Sequence, residues 1–133
     1  MPGAVLVDSN VILDVATEDR AWFAWSAAAL QGAANVSVLV INPIVYAEVS
    51  VRYATIEALE AALVGLRRDP LPWEGAFLAG KAFLQYRRRG GMRTSTLPDF
   101  YIGAHAAIAG MTLLTRDPRR YRTYFPTLEI IAP

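Results

Sequence analysis

The sequence predicts an α/β fold: one domain spanning residues 1–133, with a central, mostly parallel sheet of four to five strands and helices on both faces. Three observations predict it. Short apolar runs alternate with longer segments of helical periodicity, the order that builds parallel sheets. The runs show little polar alternation, so each strand is buried on both sides. The length, 133 residues, suits one compact domain, and 54% hydrophobic residues supply its core.

The elements follow in order. "AVLV" (4–7) is the first strand, and Ser9 or Asn10 caps a helix directly after it. Residues 20–33, rich in Ala and Trp, form a second helix. "VSVLVI" (36–41) is a β-branched strand. Asn42-Pro43 is a cap followed by proline at the first helical position, so a helix runs to about Tyr53. Residues 55–68 make the next helix, with acids early and arginines late. "PLPW" (70–73) is expected as a short edge strand, and residues 74–89 as a helix ended by Gly90-Gly91. A helix runs from Thr96-Leu97-Pro98 to Gly110, "MTLLT" (111–115) is a strand, Asp117-Pro118 opens a short helix, and "LEIIA" (128–132) is the last strand.

Composition excludes several classes. No apolar run approaches the ~20 residues of a membrane span. "MPGAVLVD" has no basic stretch and reads as a buried strand rather than a signal peptide, so a cytoplasmic location is expected. There is no cysteine, hence no disulfide and no thiolate metal site. Net charge is only +1, yet it is divided. Residues 1–80 hold four Arg and nine acids, net −5; residues 81–133 hold Lys81, eight Arg and three acids, net +6. Solvated helix faces explain this, and so does a phosphate-rich partner; arginine binds phosphate bidentately.

In a parallel sheet, ligands bind beyond the carboxyl ends of the strands. Four carboxylates fall near that edge. Asp8 ends the first strand, and Asp117 lies two residues beyond "MTLLT". Asp99 lies in the first turn after Pro98, and Glu48 nearly two turns into the helix after Pro43. Each has a local explanation: Asp8 and Asp117 as helix caps, Asp99 as a favourable charge at a helix start, Glu48 as a partner of Arg52. Together they repel unless a proton or cation neutralises them. A hard, oxygen-seeking ion such as Mg²⁺ or Mn²⁺ fits this donor set, while a single histidine and no cysteine argue against zinc. Such an ion supports in-line displacement at a phosphodiester, and "RRRGGMR" (87–93) and "RDPRRYR" (116–122) supply cations beside it.

"LVDSNVIL", "INPIVYAEV", "TLPDFYIGAHA" and "LLTRDPRRYRTYFPTLEII" resemble, in order and spacing, the successive motifs of PIN-domain ribonucleases, in particular VapC-type toxins of bacterial toxin–antitoxin pairs. The resemblance implies a PIN-like fold and Mg²⁺- or Mn²⁺-dependent endonucleolytic cleavage of RNA such as transfer or ribosomal RNA. It also implies a homodimer, and inhibition by a VapB-type antitoxin whose C-terminal segment enters the site. The family's acidic quartet maps onto Asp8, Glu48, Asp99 and Asp117. Asp8, Asp99 and Asp117 are expected to hold the ion, and Glu48 to complete its surroundings or orient the attacking water. Asn10 and Thr115 are expected as hydrogen-bonding groups behind them. Arg116 is either a phosphate contact or a salt-bridge partner; its position does not decide.

Other features are set aside. "GAFLAGKA" (75–82) spells most of a phosphate-binding loop, but Ala82 replaces the hydroxyl that binds Mg²⁺, the loop positions are bulky and apolar, and no convincing strand precedes it. His105 has mostly apolar helical neighbours and is read as structural. Trp22, Phe23 and Trp25 are read as packing, as are Tyr121, Tyr124 and Phe125. Gly103, Ala106 and Gly110 mark a face for close helix packing. Two competing functions remain: a binding module whose acidic pocket receives a basic peptide, and an aspartyl-phosphate phosphatase. The latter needs a second acid two residues after Asp8, where this chain has Asn10.

Overall fold

In a computed structural model, which describes residues 3–94 and 96–133, strands and helices alternate along the chain. The order is β1 (Ala4–Val7), α1 (Ser9–Ala16), α2 (Phe23–Val36), β2 (Val38–Ile41), α3 (Pro43–Ser50), α4 (Ile56–Ala62), β3 (Arg67–Arg68), α5 (Trp73–Arg88), α6 (Pro98–Ala109), β4 (Thr112–Leu114), α7 (Arg119–Tyr124) and β5 (Ile130–Ile131). The strands form one sheet, β3-β2-β1-β4-β5, in which every pairing is parallel. The first two residues of the "MPGAVLVD" reading lie outside the described residues. Among the described residues no helix is long and apolar enough to cross a membrane.

Leu6 and Val7, Val40 and Ile41, and Leu113 and Leu114 are all fully buried. Successive strand residues point to opposite faces, so both faces of the central sheet are covered. This is why the strands read as unbroken apolar runs.

One expected strand is misplaced. The edge strand is Arg67–Arg68, not residues 70–73, and the helix expected over 55–68 stops at Ala62. Pro70 and Pro72 lack the N–H groups a ladder needs. Gly65, at φ 89°, turns the chain after α4. Two arginines suit a strand paired on one side only, because charge blunts an open edge. Arg67 pairs with Asp69 and Arg68 with Glu60, each at 2.9 Å.

The chain builds outward from β1 to β2 and β3, then returns to place β4 on the other side of β1. That reversal leaves a crevice at the carboxyl ends of β1 and β4. Val7 lies opposite Leu114, and the Asp8 N–H donates to the Leu114 carbonyl at 2.9 Å. The residues just after both strands therefore meet.

Candidate active site

Asp8 leaves β1 with extended backbone (φ −71°, ψ 151°) and caps α1. Its Oδ1 accepts from the Ser9 N–H at 2.8 Å. Its Oδ2 accepts from the hydroxyls of Thr115 and Tyr121, each at 2.9 Å. The residue is only 4% exposed. Burial pushes its carboxyl above the ordinary 3.8, the nearby charge of Asp99 adds to this, and the three hydrogen bonds oppose it. Cap and site are thus the same carboxylate.

Glu48 reaches the same place from α3. The Ser9 hydroxyl donates to its Oε1 at 2.9 Å, so Ser9 rather than Arg52 is its partner. Burial raises its pKa; the Ser9 bond opposes, and the charges of Asp8 and Asp99 add. Asp99, in the first turn of α6, places Oδ1 3.3 Å from the Tyr121 hydroxyl and Oδ2 3.0 Å from Arg120 Nη1. Asp8, Glu48 and Asp99 accordingly lie within reach of one another's charge.

Asp117 is held differently. Arg119 donates to it through Nε and Nη2, each at 3.0 Å, and this pairing pulls its carboxyl below the ordinary 3.8. Asp99 and Asp117 both line a cleft of about 430 Å³ with Tyr86, Arg119, Arg120 and Tyr124. Among the described residues no three Asp, Glu or His side chains stand close enough to ligate one ion in this conformation. Asp99 and Asp117 are each paired with an arginine instead, Arg120 and Arg119, at 3.0 Å.

Behind Asp8 lies a chain of hydrogen bonds. Thr115 Oγ1 accepts from Asn10 Nδ2 at 3.3 Å and from the Asp117 N–H at 3.2 Å while donating to Asp8. Asn10 Oδ1 accepts from the Arg116 N–H at 3.3 Å. The Arg116 side chain turns to Asp14, donating at 2.8 and 3.1 Å, and its guanidinium sits 5.5 Å from the Trp22 ring centre. Asp14 is 2% exposed and also accepts from Ser26 at 2.8 Å. Of the two roles open to Arg116, the ion pair is the one this geometry displays.

Sequence reasoning placed Arg119 and Arg120 only within a basic run, without partners, and missed two contributors: Ser9 and Tyr121. Tyr121 was expected only to pack. Its ring does pack, against Gly103 of α6, yet its hydroxyl meets two aspartates. The one available signal was a phenol where phenylalanine would fill the same space. His105 is buried and accepts at Nδ1 from Asn42 Nδ2 (3.0 Å), because Asn42 Oδ1 already accepts the Val45 N–H. Burial lowers its pKa, so it ties α6 to the start of α3 as a neutral ring. Residues 75–82 lie inside α5, with Lys81 over the Phe77 ring at 5.0 Å, so they form no phosphate loop.

A family model described as the PIN domain matches residues 5–126. The chain belongs to the PIN-domain family. No curated protein sequence matches it. Among solved structures, this PIN domain resembles a chain of VapBC2 from Rickettsia felis, with a TM-score of 0.74, 17% identity, and 98% of each chain covered. It resembles a chain of VapBC-1 from nontypeable Haemophilus influenzae (TM-score 0.73, 18% identity, 97% of each chain). A chain of VapBC-5 from Mycobacterium tuberculosis, described as a member of the VapBC family of toxin-antitoxin systems, is similar at TM-score 0.60 and 16% identity over 98% of each chain. At these identities the likeness is one of fold.

The carboxylate oxygens of Asp8, Glu48 and Asp99 are the donor type that a hard divalent cation takes, although in this conformation no three carboxylates among the described residues close on one point. Asp8 and Glu48 are raised in pKa chiefly by burial and in addition by neighbouring acids. Arg119 is the counterion of Asp117 and would compete with a cation there. Arg119→Ala is therefore expected to tighten Mn²⁺ binding by about two- to fivefold, the scale of an exposed ion pair. Titration calorimetry of the two proteins checks this; equal affinities mean that the pair does not compete.

Proposed function

We propose that this PIN domain is a Mg²⁺- or Mn²⁺-dependent endoribonuclease and the toxin of a type II toxin–antitoxin pair. One observation carries the reading. Asp8, Glu48 and Asp99, delivered by β1, α3 and α6, converge at the switch point of a parallel sheet beside an arginine-lined cleft. The basic balance of residues 81–133 supports a polyanionic substrate.

Asp8, Asp99 and Asp117 would hold the ion, with Asp117 turning inward as Arg119 leaves it. The chemistry that Mg²⁺ or Mn²⁺ would supply there is a lowered pKa for a water and stabilised charge on the phosphate. Glu48 orients the attacking water with Oε2, the oxygen that Ser9 leaves unused. Thr115 and Asn10 keep Asp8 from rotating. Arg119 and Arg120, set free from their carboxylates, take the phosphate oxygens.

The partner in this reading is a VapB-type antitoxin whose basic C-terminal segment enters the acidic site. A mostly apolar groove of about 610 Å³, between α1, α2 and the turn after α4, offers a seat for its neighbouring apolar part; Ile12, Leu30, Leu39 and Leu66 line it. A homodimer and a cytoplasmic location belong to the same proposal. Trp73 and Phe77, exposed one turn apart on α5, are apolar surface that a second copy would cover.

Total bacterial RNA incubated with the purified, partner-free protein is expected to yield discrete fragments with Mg²⁺ or Mn²⁺ and none with a chelator. Intact RNA in the presence of metal and demonstrably folded protein would favour the binding module instead. The phosphatase reading loses its second acid, because the amide of Asn10 is committed to Thr115 and Arg116.

A further inference from the structure

We propose that Tyr121 is the positioning residue that sets Asp8 against Asp99 and decides which oxygen of Asp8 faces the cation. The inference rests on the metal-dependent reading above. Its ground is the geometry of one hydroxyl. Tyr121 Oη lies 2.9 Å from Asp8 Oδ2 and 3.3 Å from Asp99 Oδ1, bridging residues delivered by β1 and α6.

The ring has no freedom to place that hydroxyl elsewhere. Tyr121 is 1% exposed. Its ring edge enters a slot that exists because residue 103 is glycine: a Cβ there would lie 3.0 Å from Tyr121 Cδ1 and 2.5 Å from Phe125 Cε2. Gly103 is one helical turn beyond Asp99, so the helix that carries the acid also fixes the phenol. Packing alone would accept phenylalanine. A buried hydroxyl is retained at a cost unless its hydrogen bond has a use.

Proton counting gives the consequence. A phenol donates one hydrogen, and here it meets two carboxylate oxygens. Thr115 and Tyr121 together fill both lone-pair positions of Asp8 Oδ2, and Ser9 fills one of Oδ1. One lone pair of Oδ1 remains for a cation. Donation to Asp8 leaves Asp99 Oδ1 without a hydrogen from Tyr121, so that oxygen also stays open.

The test is Tyr121→Phe, measured by Mn²⁺ titration calorimetry beside wild type and Asp99→Asn. The variant is expected to keep its melting temperature within a few degrees and to bind Mn²⁺ about tenfold more weakly, the usual effect of losing a group that orients a ligand. RNA cleavage should lose kcat with KM unchanged. Mn²⁺ binding that Asp99→Asn removes but Tyr121→Phe leaves intact overturns this proposal and spares the metal reading. Wild-type Mn²⁺ binding that survives Asp99→Asn overturns both. If Tyr121→Phe does not fold, the wild-type protein labelled at tyrosine ¹³Cζ decides. The Tyr121 resonance is expected to shift on Mg²⁺ titration, and a signal unmoved at saturation overturns the proposal.

Discussion

Asp8→Asn is expected to abolish RNA cleavage, by about a thousandfold or more, and to make the metal-free protein more resistant to heat at neutral pH. The two effects have one origin. In the proposed mechanism a buried anion beside Asp99 is what a cation requires, and an amide does not supply it. Without the cation the same anion is a liability. The amide can be accommodated by inverting the hydrogen bonds around it. Tyr121 accepts from the new NH₂ group and turns its own proton to Asp99 Oδ1 (3.3 Å), while Thr115 turns its proton to the Asp117 carbonyl (3.4 Å) and accepts from the amide in place of the long Asn10 contact (3.3 Å). The Ser9 cap on Oδ1 is unchanged.

The pH dependence follows from the direction of the shift. Asp8 is raised above 3.8, so the folded protein holds its proton more tightly than the unfolded chain does. Its favourable contribution is full below that unfolded value and is lost as pH rises through the raised one. Asparagine has no such loss. The variant's advantage in melting temperature should therefore grow from acid to neutral pH in the presence of chelator. Added Mn²⁺ should raise the melting temperature of wild type alone. Calorimetric scans at several pH values check both; a variant less stable than wild type in chelator at pH 7 would mean that Asp8 serves chiefly as a cap.

Arg116→Ala is expected to cost about 2–3 kcal/mol and to lower the melting temperature by roughly 10 °C. Asp14 is almost fully buried and has two side-chain partners, Arg116 and Ser26. Removing the arginine leaves a buried charge supported by one hydroxyl. The partial exposure of Arg116, 32% of its side chain, keeps the loss below that of a fully buried pair. Adding Asp14→Asn should recover part of the stability, a non-additive cycle that marks a direct pair. Cleavage should fall only modestly, because the Arg116 contact with Asn10 is made by its backbone. An unchanged melting temperature with a raised KM for RNA would instead make Arg116 a phosphate contact.

What the sequence made legible was decided by burial. Strands covered on both faces must be apolar throughout, so β1, β2 and β4 stand out as runs, and the residue after each run marks the ligand edge. β3 has no such signal, since an edge strand of two arginines needs no apolar face. Neighbours along a helix could be reasoned about; partners across the fold could not. Glu48 has Arg52 four residues away, yet it pairs with Ser9, 39 positions distant. Arg116 meets Asp14 across 102 positions. Tyr121 stayed hidden for a different reason: aromatic residues enter a core for their area, and where the hydroxyl points is settled only by the helix opposite, through Gly103.

The junction of β1 with β4 has a consequence for timing. Thr115 and Asp8 are 107 residues apart, and Tyr121 and Asp8 are 113 apart. Closing a loop of that length costs about 4 kcal/mol of chain entropy before any contact rewards it. A growing chain therefore carries Asp8 from its first turn of synthesis but cannot assemble the site until nearly all of it has emerged from the ribosome. In the proposed reading, a nuclease for the cell's own RNA would stay harmless while it is being made, because the carboxylates gather only when the whole sheet does.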